Sequence, residues 1–107
     1  MDTNPFTEST THLSLVTIVA EAILEQRLIR ELKGLGVSGF TASMAHGQGS
    51  RGSRAGDLEG GNVKIETIVQ PALAAEIMAH MESHYFEYYA VIVWVSEVGV
   101  LRGDKYL

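Results

Sequence analysis

Apolar residues along this chain switch between two spacings. Residues 13–20, LSLVTIVA, form a β-branched run of strand length, and EAILEQRLIRELKG then places Leu24, Leu28 and Leu32 on one helical face. Gly34 and Gly36 supply the stop. The segment VSGFTASMAH loosely alternates small polar and apolar residues and predicts a second strand, while NVKIETIV predicts a third. Pro71 stands where a first helical turn tolerates a missing N–H, and ALAAEIMAHMESHYF aligns Leu73, Ile77, Met81 and Tyr85 in one stripe. AVIVWV is the last strong strand signal, closed by the more polar SEVGVLRGDKYL as a short edge strand or tail.

The order β-α-β-β-α-β predicts an α+β protein of the ferredoxin-like, split βαβ kind. Its four-stranded antiparallel sheet carries two helices on one face, because both right-handed crossovers pass over the same side. LVTIVA and AVIVWV are apolar in both alternating sets, so the face without helices is hydrophobic too. A monomer would expose it. The pattern therefore predicts a homo-oligomer, with Trp94 and its neighbours divided between core and interface.

Between the second and third strands lies HGQGSRGSRAGDLEGG, with almost no apolar side chain. So long a connection in a compact domain is a binding loop, a lid or disorder. Its Gly47-Gln48-Gly49-Ser50-Arg51-Gly52 satisfies the form GxGxxG, and glycines there let backbone N–H groups approach phosphate. A dinucleotide fold needs those glycines to open a helix, whereas here they run on to a strand. A kinase loop does lie between strands, but the chain has no HRD or DFG sequence. What remains is a loop carrying Arg51 and Arg54, followed by Asp57 and Glu59. Two guanidinium groups beside exposed amides suit a nucleotide or anion site that closes on binding. The alternative is a solvated linker whose charges cancel.

The 107 residues are enough for one core, so residues 12–107 are read as a single domain behind a flexible leader, 1–11, with neither signal-peptide nor membrane-anchor character. A formal charge of −5 argues against non-specific nucleic-acid binding, which needs surplus Lys and Arg. The absence of cysteine removes disulfides and thiolate chemistry and suits a cytoplasmic protein. His80 and His84 share a face of the second helix, with Glu76 or Glu87 in reach by spacing, but lack a converging third ligand. His46 at the loop mouth reads as a strand-end polar residue, with a pH-sensitive ligand contact as the alternative. No residue pair announces a nucleophile and its base, so no catalytic residue and no obligatory cofactor or metal is assigned.

From about residue 13 to residue 102 the chain resembles the PII-like signal-transduction superfamily, in particular its SbtB and carboxysome-associated branch. The points of contact are LGVSGFT, the Gly-x-Gly-Ser-Arg at Gly47–Arg51, VKIE at Val63–Glu66, YFEYYA at Tyr85–Ala90 and VLRG at Val100–Gly103, in matching order and spacing. The resemblance implies a homotrimer that binds adenine nucleotide as a regulatory ligand in clefts between subunits, with the long loop acting as the family's T-loop. It places Gly39, Phe40 and Thr41 beside base and ribose, Ile68 near the base, and Gly47, Gln48, Gly49 and Ser50 around phosphate. Arg51 and Arg54 resemble the branch's T-loop arginines, Phe86, Glu87, Tyr88 and Tyr89 stand at its B-loop, and Arg102 matches a C-terminal phosphate-binding arginine. The chain departs from nitrogen-signalling PII proteins in a B-loop without glycine or lysine and a loop without tyrosine, and from many SbtB proteins in ending GDKYL rather than in a redox motif. ADP or AMP, with cyclic AMP or ATP as alternatives, is the implied ligand. Bicarbonate is the implied second ligand, and a bicarbonate transporter or carbon-fixation protein the implied target. A divalent-metal-binding trimer of the same fold and a slow nucleotide hydrolase are the competing readings.

The hydrophobic second sheet face makes an immediate prediction. At micromolar concentration the purified chain should run as a homo-oligomer in size-exclusion chromatography with light scattering, and a stable monomer would exclude burial of that face by self-association.

Overall fold

The computed structural model describes residue 4 and residues 6–47 and 61–107. Strand β1 (Thr11–Glu21) leads through one 3-10 turn (Ala22–Leu24) into helix α1 (Glu25–Leu35). Strands β2 (Thr41–Ala45) and β3 (Asn62–Val69) follow, then helix α2 (Pro71–His84), strand β4 (Ile92–Val100) and a 3-10 turn (Gly103–Tyr106). The strands form one antiparallel sheet in the order β2-β3-β1-β4, with both helices packed on one face, which is the ferredoxin-like arrangement.

Local sequence sets most of these boundaries. Gly34 lies within α1, and Gly36 alone ends it, adopting φ 116° and donating to the carbonyls of Leu32 and Lys33. Val37 N–H reaches back to Leu32 O at 3.0 Å, so the backbone closes a Schellman motif whose flanking side chains, Leu32 and Val37, are both buried. Pro71 occupies the first turn of α2, where no intrahelical N–H is needed. Strand β2 is shorter than VSGFTASMAH suggested. In contrast, β4 runs on through SEVGV to Val100, because residues 96–100 keep pairing with residues 11–15 of β1 despite their polarity.

Alternation along the strands sorts the side chains. Val16, Ile18 and Ala20 of β1 and Val63, Ile65 and Val69 of β3 point at the helices, where they meet Leu28, Leu32, Ile77, Met81 and Tyr85. Burial of each Val, Leu, Ile or Met side chain among them contributes roughly 1.5–3 kcal/mol. The opposite face carries Leu15 across from Ile68, Val19 across from Ile92, and Thr17 across from Trp94. Val93 packs against the core while Trp94 keeps 41% of its surface exposed on the helix-free face, and Ile92 keeps 45%. The chain thus has a second apolar sheet surface with no helix of its own to cover it.

At its C-terminal end the sheet is overlaid by the last turn. Gly103 is buried against the start of β1, and a Cβ at that position would overlap the side chain of Thr11. Arg102 just before it takes the left-handed conformation, φ 59° and ψ 39°, which swings the chain back over the sheet at a cost of about 1 kcal/mol or more for a residue with a Cβ.

Gly103→Ala should therefore lower the free energy of unfolding by about 1–3 kcal/mol, as at other overpacked sites, and shift the denaturation midpoint down. Adding Thr11→Gly should recover part of the loss. An unchanged denaturation curve for Gly103→Ala would contradict the close approach.

Candidate functional site

Two adjoining cavities, of about 630 and 410 Å³, open beside the C-terminal turn and share Ser38, Ile68, Lys105 and Tyr106. The larger brings together four residues singled out from sequence: Gly39, Phe40, Thr41 and Ile68. Its floor belongs to the helix-free sheet face, since Leu15 pairs with Ile68 and Thr41 with Glu66. Thr67 ties the wall together by donating its hydroxyl to Gly39 O at 2.6 Å. Gln70 Nε2 donates to Tyr106 O at 3.1 Å and pins the turn that forms the other wall. The Lys33 ammonium stands 5.9 Å from the Phe40 ring centroid.

Lys105 and Tyr106 line both cavities, although no sequence pattern drew attention to them. Arg102, singled out as a phosphate ligand, is exposed at the head of the turn and is not among the lining residues. The cation facing the groove is Lys105. A hint lay in the glycine that follows Arg102, which lets the chain fold back and carry Lys105 over the sheet.

The remaining sequence candidates lie elsewhere. Gln48, Gly49, Ser50, Arg51 and Arg54 fall outside the described residues. Gly47 and His46 are exposed just beyond the far end of β2, where Ala45 pairs with Asn62. Phe86, Glu87, Tyr88 and Tyr89 follow α2 and precede β4, again at the end of the sheet away from the C-terminal turn. The nine residues of β4 separate them from Arg102 by about 25 Å at the usual strand rise. One chain therefore places the described sequence candidates in two groups, at opposite ends of its sheet.

The second of these groups rests on a polar cluster centred on Glu31. His80 Nε2 meets Glu31 Oε1 at 2.7 Å, Tyr85 OH donates to the same oxygen at 2.8 Å, and Arg27 Nε donates to Oε2 at 3.0 Å. Burial works against ionisation of Glu31, yet the hydrogen bonds from His80, Tyr85 and Arg27, with the attraction of the Arg27 charge, outweigh it and hold the carboxyl at about 2. Burial first, and then its bond to the Glu31 carboxylate, pushes the Tyr85 phenol well above its ordinary range. His84 stacks on His80 at 4.2 Å between ring centroids, and its Nδ1 lies 3.0 Å from His80 O. These partners occupy a nitrogen of each ring, and no group of three or more metal-capable side chains occurs among the described residues.

Comparison with known proteins places this arrangement. The family model described as nitrogen regulatory protein P-II matches residues 13–105. Among solved structures, TTHA0516 of Thermus thermophilus, a candidate PII-like signaling protein, is 44% identical, with 92% of this chain and 99% of that chain covered and a TM-score of 0.80. CPII from Thiomonas intermedia K12, solved bound to ADP and bicarbonate, is 23% identical, with 94% of this chain and 100% of that chain covered and a TM-score of 0.82. A further CPII structure holds ADP, AMP and bicarbonate, with 23% identity, 85% and 94% coverage and a TM-score of 0.73. At the CPII level of identity the likeness is one of fold.

The Glu31 cluster has a defined pH signature. Its folded-state pKa lies below the ordinary 4.5, so its stabilisation is fully present above that value and is lost as pH falls towards about 2. Glu31→Gln should be less stable than the wild type at pH 7 by about 1–3 kcal/mol. The gap should shrink between pH 4.5 and 2 in urea titrations; a gap independent of pH would show that the carboxylate charge is not what the cluster binds.

Proposed function

This chain belongs to the nitrogen regulatory protein P-II family, and we propose that it is a non-enzymatic sensor that binds an adenine nucleotide between the subunits of a homotrimer. The observation that carries this reading is the division of the candidate site. Gly39, Phe40, Thr41 and Ile68 gather in a groove on the helix-free sheet face, while Gly47 and Phe86–Tyr89 lie at the other end of the same sheet. Neither part surrounds a nucleotide alone. Self-association through the apolar face would bring the groove of one subunit against the turn and loop base of its neighbour.

In that assembly the groove takes base and ribose between Phe40, Thr41 and Ile68. Lys105 or Arg102 from the C-terminal turn, Gly47, Gln48, Gly49 and Ser50 at the loop base, and the Arg51 and Arg54 guanidinium groups meet the phosphates. Paired guanidinium donors and backbone amides suit a diphosphate or monophosphate. ADP or AMP, the ligand that the resemblance implies, is the first choice, with ATP and cyclic AMP as alternatives. The ADP, AMP and bicarbonate held by the CPII structures support this choice and bicarbonate as second ligand.

A ligand that contacts the loop better in one arrangement must shift the loop towards that arrangement. The loop would then report nucleotide state to a cytoplasmic partner in inorganic-carbon handling, such as a bicarbonate transporter or a carbon-fixation protein. No helix among the described residues is long and apolar enough to cross a membrane.

ADP and AMP should raise the melting temperature of the purified protein in a thermal-shift screen that includes ATP, cyclic AMP, bicarbonate and divalent metals, because a ligand bound only by the folded state stabilises it. By calorimetry, Arg51→Ala and Arg54→Ala should each weaken ADP or AMP by about tenfold or more, as expected for a lost charge-assisted bond, with the oligomer intact. A response to metals alone would replace this reading with the metal-binding one, and unchanged affinity in both variants would remove the arginines from the site.

A further inference from the structure

Arg27 lies in the first turn of α1, far in sequence from residues 85–89, yet its side chain joins the two. While Nε binds Glu31, Nη1 donates to Tyr89 OH at 3.1 Å. The flat guanidinium also covers the Tyr85 ring at 4.8 Å and the Tyr89 ring at 5.5 Å from their centroids. A planar, forked cation reaches separate acceptors from different nitrogens while its flat face lies on a ring, whereas an ammonium is a single point charge without that fixed fork.

The turn beyond α2 is consequently held at both of its ends. At the first, Tyr85 is fully buried and donates its phenol to Glu31, while its carbonyl accepts the backbone N–H groups of Tyr88 and Tyr89 at 3.2 and 2.9 Å. At the last, Tyr89 is half-buried and bound by Arg27. The residues between project outward: Phe86 is 47% and Tyr88 78% exposed, and Glu87 is exposed with them. Large aromatic side chains standing in solvent on a turn fixed at both ends are presented in a set direction rather than folded back into the core.

We propose that Arg27 is a positioning residue of the nucleotide site: by fastening Tyr89 to α1, it sets the direction in which Phe86, Glu87 and Tyr88 meet a ligand bound between subunits. This role rests on the reading of residues 86–89 as ligand-facing. Arg27 itself touches no nucleotide. Its contribution is preorganisation, since a turn already held in its bound conformation loses less freedom when the ligand arrives.

Arg27→Lys and Tyr89→Phe test the role with little disturbance of the fold. Lysine keeps a positive charge for Glu31 but lacks the two separate nitrogens with which Arg27 reaches Glu31 and Tyr89, and phenylalanine removes only the hydroxyl. Each variant should weaken ADP or AMP by about three- to tenfold, the range of one lost hydrogen bond, while melting temperature and oligomeric state stay close to wild type. Backbone amides of residues 86–89 should exchange faster in both. The double variant should bind about as well as the weaker single one, because both changes break the same contact. Wild-type affinity in both single variants, or losses that simply add in the double, would overturn the role of Arg27 while leaving the nucleotide reading in place. If the unmodified protein binds neither ADP nor AMP, the nucleotide reading itself falls and the positioning role falls with it.

Discussion

A four-stranded sheet whose two crossovers run over the same side has a second side that its own helices cannot reach. Here that side carries Leu15, Val19, Ile68, Ile92 and Trp94, and the free energy of leaving such a surface in water favours contact with another copy of the chain. The candidate groove opens on the same face, floored by Leu15 and Ile68 and walled by the C-terminal turn. In the proposed assembly, self-association and ligand binding would draw on one surface. A site built in this way can sense a ligand through the contact between subunits, because anything bound in the groove adds to or subtracts from the interface.

The helical side is organised by polar contacts as well as by packing. Glu31 is the point where α1, α2 and the turn after α2 meet, through Arg27, His80 and Tyr85. A partly buried carboxylate is costly unless several donors surround it, and here three do. The same donors fix the relative placement of the two helices at the end of the sheet from which the long loop departs. One cluster therefore stabilises the fold and steadies the turn that carries Phe86 and Tyr88.

Membership of the P-II family sets this chain among signalling proteins, while its own residues give the site a distinct character. In place of a glycine- and lysine-rich turn it has HYFEYYA, in which Arg27 covers the rings of Tyr85 and Tyr89 while Phe86 and Tyr88 stand exposed between them. On the opposite wall the cation facing the groove is Lys105 and not Arg102, whose left-handed backbone turns the chain so that Gly103 can settle on Thr11.

The sequence by itself determined the element order, the helix stripe of Ile77, Met81 and Tyr85, the stop at Gly36, the start at Pro71 and the apolar second sheet face, because each follows from spacing within a few turns of chain. The resemblance of their surrounding motifs grouped Gly39, Phe40, Thr41 and Ile68, and the fold brings these four to the lining of one cavity. Only the tertiary structure decided that SEVGV remains in the edge strand, since the pairing of residues 96–100 with β1 depends on a partner some eighty positions away. The Arg27–Tyr89 bond, and the meeting of Lys105 and Phe40 in the lining of one cavity, likewise bring together residues more than sixty apart. Such contacts leave no period in the sequence: side-chain spacing reports which face a residue takes, and only the folded backbone fixes what that face meets.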